Sequence, residues 1–168
     1  PGGTIEEINE ERWRTAWELK VFGYINMMRE CYRMMKSRGR GVIVNVIGNA
    51  GNQAPAEYAA GVSADAMLEV LTRTLGGDSL DHGIRVVGVS PGDLLNERGI
   101  MFLRRQAEEE LGDPERWSER LAELPGGRAG ASEEVADAIV FLASPRSNYT
   151  SGAILTIDGG VSARRAVM

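Results

Sequence analysis

Cysteine, histidine and positive charge are all scarce in this chain of 168 residues. A lone Cys31 excludes an internal disulfide and any cysteine-built metal cluster, so no metal site is expected. The single histidine, His82, makes no catalytic pair with Ser63, because neither a carboxylate orienter nor a nucleophile elbow accompanies them; it reads as a helix-end residue. Lysine and arginine total 19 against 24 aspartates and glutamates, a net charge of −5, and no basic cluster carries interleaved aromatics, which argues against a nucleic-acid partner. No apolar run approaches a membrane span and the first residues are not those of a signal peptide, so the cytoplasm is the expected compartment. Despite 21 glycines, no Gly-x-Gly-x-x-Gly is present to turn a strand into a helix beneath a pyrophosphate.

What is present is organised around residues 41–92. Gly41-Val-Ile-Val-Asn-Val-Ile47 is an almost unbroken apolar run, the pattern of a strand buried on both faces, and it leads into the glycine-bearing turn Gly48-Asn49-Ala50-Gly51. Ala60, Ala64, Met67, Leu68, Leu71, Leu75 and Leu80 then recur at helical spacing over residues 59–81, with His82-Gly83 as the stop. A second apolar run, Ile84 to Ser90, is halted by Pro91-Gly92. Strand, crossover helix and strand predict a parallel pair with a right-handed connection.

Upstream, residues 1–7 read as a loop, with Asn9 or Glu10 capping a helix over residues 9–36 whose apolar stripe includes Trp13, Leu19, Phe22, Met27, Met28, Cys31 and Met35. A stripe so broad needs a sheet and a further subunit to cover it. Downstream, Arg98 to Leu111 and Pro114 to Leu124 predict two short amphipathic helices, Ser132 opens another with acidic residues in its first turn, and Ala153 to Ile157 is a last short strand before Asp158-Gly159-Gly160. With 43% hydrophobic and 26% charged residues, residues 1–168 make a single domain.

The segments Gly41-Val-Ile-Val-Asn-Val46, Tyr58-Ala-Ala, Leu71-Thr-Arg-Thr-Leu75, Gly83-Ile-Arg-Val-Val-Gly-Val-Ser-Pro-Gly92 and Thr156-Ile-Asp-Gly-Gly160 resemble, in order and spacing, the C-terminal part of a short-chain dehydrogenase/reductase. The resemblance implies an α/β fold, a three-layer Rossmann-like doubly wound parallel sheet, of which this chain carries the last three strands and their long flanking helices. It also implies that the family's Thr-Gly-x-x-x-Gly-x-Gly stands upstream, so the chain is expected to be the C-terminal portion of a longer protein, with the strand at 42–47 unpaired along its inner edge. The region 93–130 corresponds to the family's substrate loop, a lid with Ile100, Met101, Phe102, Leu103 and Trp117 on its apolar face. The two long helices correspond to the family's dimer bundle, implying a homo-oligomer, dimer or tetramer.

In the resembled family a tyrosine exchanges the substrate's hydroxyl proton, a lysine four residues on lowers its pKa, a serine after the preceding strand orients the oxygen, and an asparagine on the long helix supports the lysine. Alignment through Trp13 and Gly23 puts Lys20 at the asparagine position, and Gly48, with Asn49 beside it, falls at the serine position. Local context offers Tyr58 as the tyrosine, with Val62 four residues later. A gap-free register on Leu68 to Leu75 instead places Gly61 there and Asp65 at the lysine position. Neither register contains Tyr-x-x-x-Lys. The expectation taken forward is Tyr58 as proton donor and Lys20 as the ammonium that tunes it, which demands a separation of roughly 4–6 Å. Pro91, Gly92 and Asn96, the last at the position of a family threonine, are expected to hold the nicotinamide end of NAD or NADP. The implied activity is NAD(P)-dependent interconversion of a small alcohol and a ketone or aldehyde. The alternative is a catalytically silent relative that binds a nucleotide or serves assembly.

Overall fold

The computed structural model describes residues 2–164, so Pro1 of the loop read at 1–7 lies outside the described residues. Three parallel strands, β1 (Gly41–Val46), β2 (Ile84–Pro91) and β3 (Ile154–Ile157), form a sheet of order β1-β2-β3, with Val46 opposite Val89 and Gly88 opposite Ile154. The doubly wound parallel architecture read from the sequence is the one found, and β1 is the edge strand among the described residues.

The long N-terminal helix runs as α1 (Glu10–Trp17), a π-helical stretch (Glu18–Gly23) and α2 (Tyr24–Arg38). Asn9 is its cap, its side chain accepting from Arg12 N at 2.9 Å, and Gly39 closes it in the left-handed region at φ 66°. A short helix α3 (Ala50–Gln53) follows β1; α4 (Ala59–Asp78) then crosses over and ends in a 3-10 turn (Ser79–His82). After β2 come α5 (Glu97–Leu111) and, where an α-helix was expected, a 3-10 segment (Pro114–Glu123) capped by Asp113. The last helix is α6 (Ser132–Ala143). Ser132 is its first residue rather than its cap, and the Glu134 carboxylate instead turns back to accept from Ala131 N at 2.8 Å.

The central strand β2 is buried on both faces, whereas β1 and β3 are covered only in part, with Val46 and Leu155 exposed. Val87 and Val89 pack with Val135 and Leu142 of α6, while Ile47 packs with Met28 of α2 and Leu68 of α4, giving three layers. Burial of this kind is why these strands read as unbroken apolar runs. The stripe of the long helix is covered only in part: Leu19 is 81% exposed, and Phe22, Met27 and Met34 are exposed as well. At Asn45, buried within β1, the side-chain amide donates to Thr72 Oγ1 at 2.9 Å and so fixes α4 to the sheet.

Helix α4 packs tightly on the sheet at Gly76, where an added Cβ would overlap the Gly152 backbone and stand 2.7 Å from Val86 O. Gly76→Ala is therefore expected to destabilise the protein by about 1–3 kcal/mol by forcing helix and sheet apart, against its gain in helix propensity. Urea denaturation measures this; a midpoint equal to or above wild type would refute the tight contact.

Candidate active site

Parallel strands gather a site at their C-terminal ends, and here β1 and β2 do so through their continuations. Ile47 N donates to Val89 O at 2.9 Å, Asn49 N to Pro91 O at 3.0 Å, and the buried Ser90 hydroxyl to Gly48 O at 2.8 Å. The two turns are thereby held side by side beneath a cleft of about 620 Å³. Lys20, Tyr58, Pro91, Gly92 and Asn96 all line it, so the residues singled out from three separate stretches of sequence meet in one place.

Lys20 reaches the cleft from the π-helical stretch. Its Nζ donates to Ile47 O at 2.5 Å and lies 2.9 Å from Asp65 Oδ1, an ion-pair distance without the alignment of a directed hydrogen bond. The ammonium also sits 5.9 Å from the centroid of the Tyr24 ring, whose hydroxyl donates to Val46 O at 2.5 Å. Burial, reinforced by the charge of Asp65, pushes the Tyr24 phenol up. The side chain of Asp65 is only 5% exposed. Burial raises its pKa, Lys20 opposes the shift, and Glu69 one turn further along α4 adds to it.

The conformation of Tyr58 joins the two registers that the sequence left open. Tyr58 is the residue before α4, pinned from outside by Gly3, which donates to Glu57 O at 2.6 Å and accepts from Ala59 N at 3.3 Å. Its ring lies over Gly61, in the volume that a Cβ at position 61 would enter. A tyrosine three residues early thus fills the space belonging to the later position, and it fits because that position has no side chain.

At the opposite wall, Gly48 adopts φ +135°, and a Cβ there would meet Asp65 Oδ2 at 2.8 Å. A serine at 48 would collide with this carboxylate. Gly92 is equally constrained: a Cβ would stand 2.7 Å from that of Asp158. Asn96 caps α5, its Oδ1 accepting from Gly99 N at 2.9 Å, which leaves Nδ2 as the part of its amide available to a ligand. Phe102 and Arg98 of α5 complete the rim, with Arg98 5.6 Å above the Phe102 ring, while Met101 turns to solvent. Sequence reasoning passed over Asp65 and Tyr24 as site residues. The signal for Asp65 was there: positions 20 and 65 carry opposite charges in the gap-free register.

Residues 1–162 match the sequence model of a family described as Enoyl-(Acyl carrier protein) reductase. The chain belongs to the short-chain dehydrogenase/reductase family. Among its short-chain dehydrogenase/reductase relatives, an uncharacterized oxidoreductase of Thermotoga maritima is 38% identical over 97% of this chain and 63% of its own length. A relative from Xanthobacter autotrophicus, named inactive 2-(S)-hydroxypropyl-CoM dehydrogenase 2, is 32% identical over 96% of this chain and 68% of its own. A NADPH-bound short chain oxidoreductase of Pseudomonas aeruginosa PAO1, described as containing an atypical catalytic center, superposes with a TM-score of 0.81 at 31% identity, covering 98% of this chain and 62% of that one. The chain therefore spans about three fifths to two thirds of the length of these family members. Among its described residues no helix is long and apolar enough to cross a membrane.

Proposed function

We propose that this chain forms the substrate side of an NAD(P)-dependent oxidoreductase that interconverts a small alcohol and a ketone or aldehyde. The observation that carries the reading is the convergence of Tyr58, Lys20, Pro91, Gly92 and Asn96 on one cleft at the C-terminal edge of a parallel sheet. At 91–96 the cleft offers the peptide backbone of Pro91-Gly92 and the side-chain amide of Asn96, neutral groups suited to a carboxamide, with the Asp93 carboxylate beside them, and the Asn96 Nδ2–H would donate to its oxygen. Bound there, a nicotinamide would give or take the hydride. Tyr58 holds and moves the proton at its phenol oxygen. Lys20 steadies the cleft through Ile47 O and Asp65 and brings the cleft wall its ammonium. Phe102 and the α5 segment of region 93–130 act as a lid that excludes water.

The reading extends to cytoplasmic location and to a homo-oligomer, dimer or tetramer, built on the exposed apolar residues of the long helix and on Val70 of α4. A second reading, a catalytically silent relative serving nucleotide binding or assembly, is favoured by one observation: the Lys20 ammonium is already engaged by Asp65 and Ile47 O. Two measurements on the full-length protein separate them. Titration with NADH and NADPH followed by nicotinamide fluorescence is expected to saturate, and Tyr58→Phe is expected to lower kcat by about 10²–10⁴-fold with little change in cofactor affinity. Saturable binding with no turnover of any alcohol or ketone would establish the silent relative, and unchanged turnover in Tyr58→Phe would remove the proton assignment.

A further inference from the structure

The carboxylate of Asp65 occupies the space in front of Gly48, and this has a bearing on what the cleft can hold. Its Oδ1 is buried against Lys20, while Oδ2 stands where a side chain at position 48 would begin. The residue lines the cleft although its side chain is nearly buried, and Oδ2, without a protein donor among the described residues, stands beside Gly48 at the cleft wall. An ionised carboxylate offers acceptors only; whatever packs against it must bring a donor or leave it unsatisfied.

The surrounding charges reinforce the demand. Lys20 neutralises Asp65 but is tied to Ile47 O. Behind it on α4, Glu69 is buried with only Oε2 held by Arg73, and Asp93 contributes a second carboxylate to the cleft wall, its pKa raised by burial. The balancing cation, Arg98, stacks on Phe102 at the rim.

We propose that Asp65 is a substrate-facing residue, and that the cleft takes an alcohol whose neighbouring carbon carries a hydrogen-bond donor, a hydroxyl or an ammonium, in preference to one carrying a carboxylate. This rests on the cleft being the active site, and extends that reading to a class of substrate. The test uses the full-length protein labelled with ¹³C at aspartate carboxyl carbons, the Asp65 resonance being assigned by its loss in Asp65→Asn. Three probes share a secondary alcohol and differ beside it: propane-1,2-diol, 1-aminopropan-2-ol and lactate. The Asp65 signal is expected to move saturably with the first two, at least about tenfold more tightly than lactate binds. In Asp65→Asn the preference, read by isothermal titration calorimetry with the same three probes, is expected to vanish, and in Gly48→Ala, which crowds Oδ2 without removing it, the response of the Asp65 signal to the diol is expected to be lost. An Asp65 resonance that moves with none of the three, or lactate binding as tightly as the diol, would overturn the proposal. The readout needs no turnover. Failure of the hydride-transfer reading shows in Tyr58→Phe and leaves the Asp65 signal intact, whereas failure of this inference leaves turnover and its dependence on Tyr58 in place.

Discussion

Gly61→Ala is expected to abolish turnover about as thoroughly as Tyr58→Phe, a fall of about 10²–10⁴-fold, while leaving the protein at least as stable as wild type. The two halves of this expectation come from different physics. A glycine in the third position of α4 costs helix stability, and alanine there would return up to about 1 kcal/mol. Yet the methyl group would enter the volume held by the Tyr58 ring, so the ring must move from its place over Gly61. A loss of activity at a melting temperature equal to or above wild type therefore reports displacement of the ring and not unfolding. The combination Tyr58→Phe with Gly61→Ala should be little worse than either alone, since both remove the same phenol. Additive losses would show that Gly61 acts elsewhere, and full activity in Gly61→Ala would show that the ring position is immaterial.

Arg85→Met is expected to lower stability by about 3–5 kcal/mol, read as a shift of the urea midpoint. Arg85 lies within β2, only 5% exposed, and its guanidinium donates to Leu142 O at 2.7 Å, Ser147 Oγ at 2.8 Å and Ser144 O at 3.0 Å. These acceptors include carbonyls at the C-terminus of α6, where the helix macrodipole also favours a cation. Burial lowers the arginine's pKa, though the group remains charged throughout the physiological range. Methionine would fill much of the volume but would take a charged donor from three acceptors at once, leaving Leu142 O and Ser144 O only their bonds from Ser147. Arg85→Lys should recover part of the loss, because an ammonium reaches some of the acceptors but cannot fork between them. A change below 1 kcal/mol for methionine would mean that water replaces the guanidinium and that α6 is not tied to β2 through it.

Much of the fold was legible because β2 is buried on both faces, as its apolar run implied, although β1, read the same way, is covered only in part. Val42 to Ile47 and Ile84 to Val89 are apolar apart from the buried Asn45 and Arg85, and Gly39, Gly83 and Pro91 end their elements by backbone geometry that few other residues supply. The 3-10 character of 114–123 was not legible. Trp117, Leu121 and Leu124 recur at a spacing that a short α-helix and a 3-10 segment both accommodate. At the site, sequence framed Tyr58 and the pair Gly61/Asp65 as rival registers, and the difficulty was one of dimension. A sequence register assigns each side chain to its own backbone position, whereas the Tyr58 ring projects over a neighbour's. The ion pair between Lys20 and Asp65 was hinted at only by the opposite charges of the gap-free register, since the partners lie far apart in sequence and it is the fold that brings them together.

The π-helical stretch at Glu18–Gly23 fixes the rotational phase between the two ends of the long helix. Ahead of it, Trp17 donates from its indole to Ala60 O at 3.0 Å, and just beyond it Tyr24 reaches Val46 O; one end is keyed to α4 and the other to the sheet. Each residue of an ordinary helix advances the face by about 100°, so removing one residue to restore regular turns would swing one of these keys out of its lock. The wide turn that carries Lys20 thus works as a gearing between two surfaces that no straight helix of this length would meet at once.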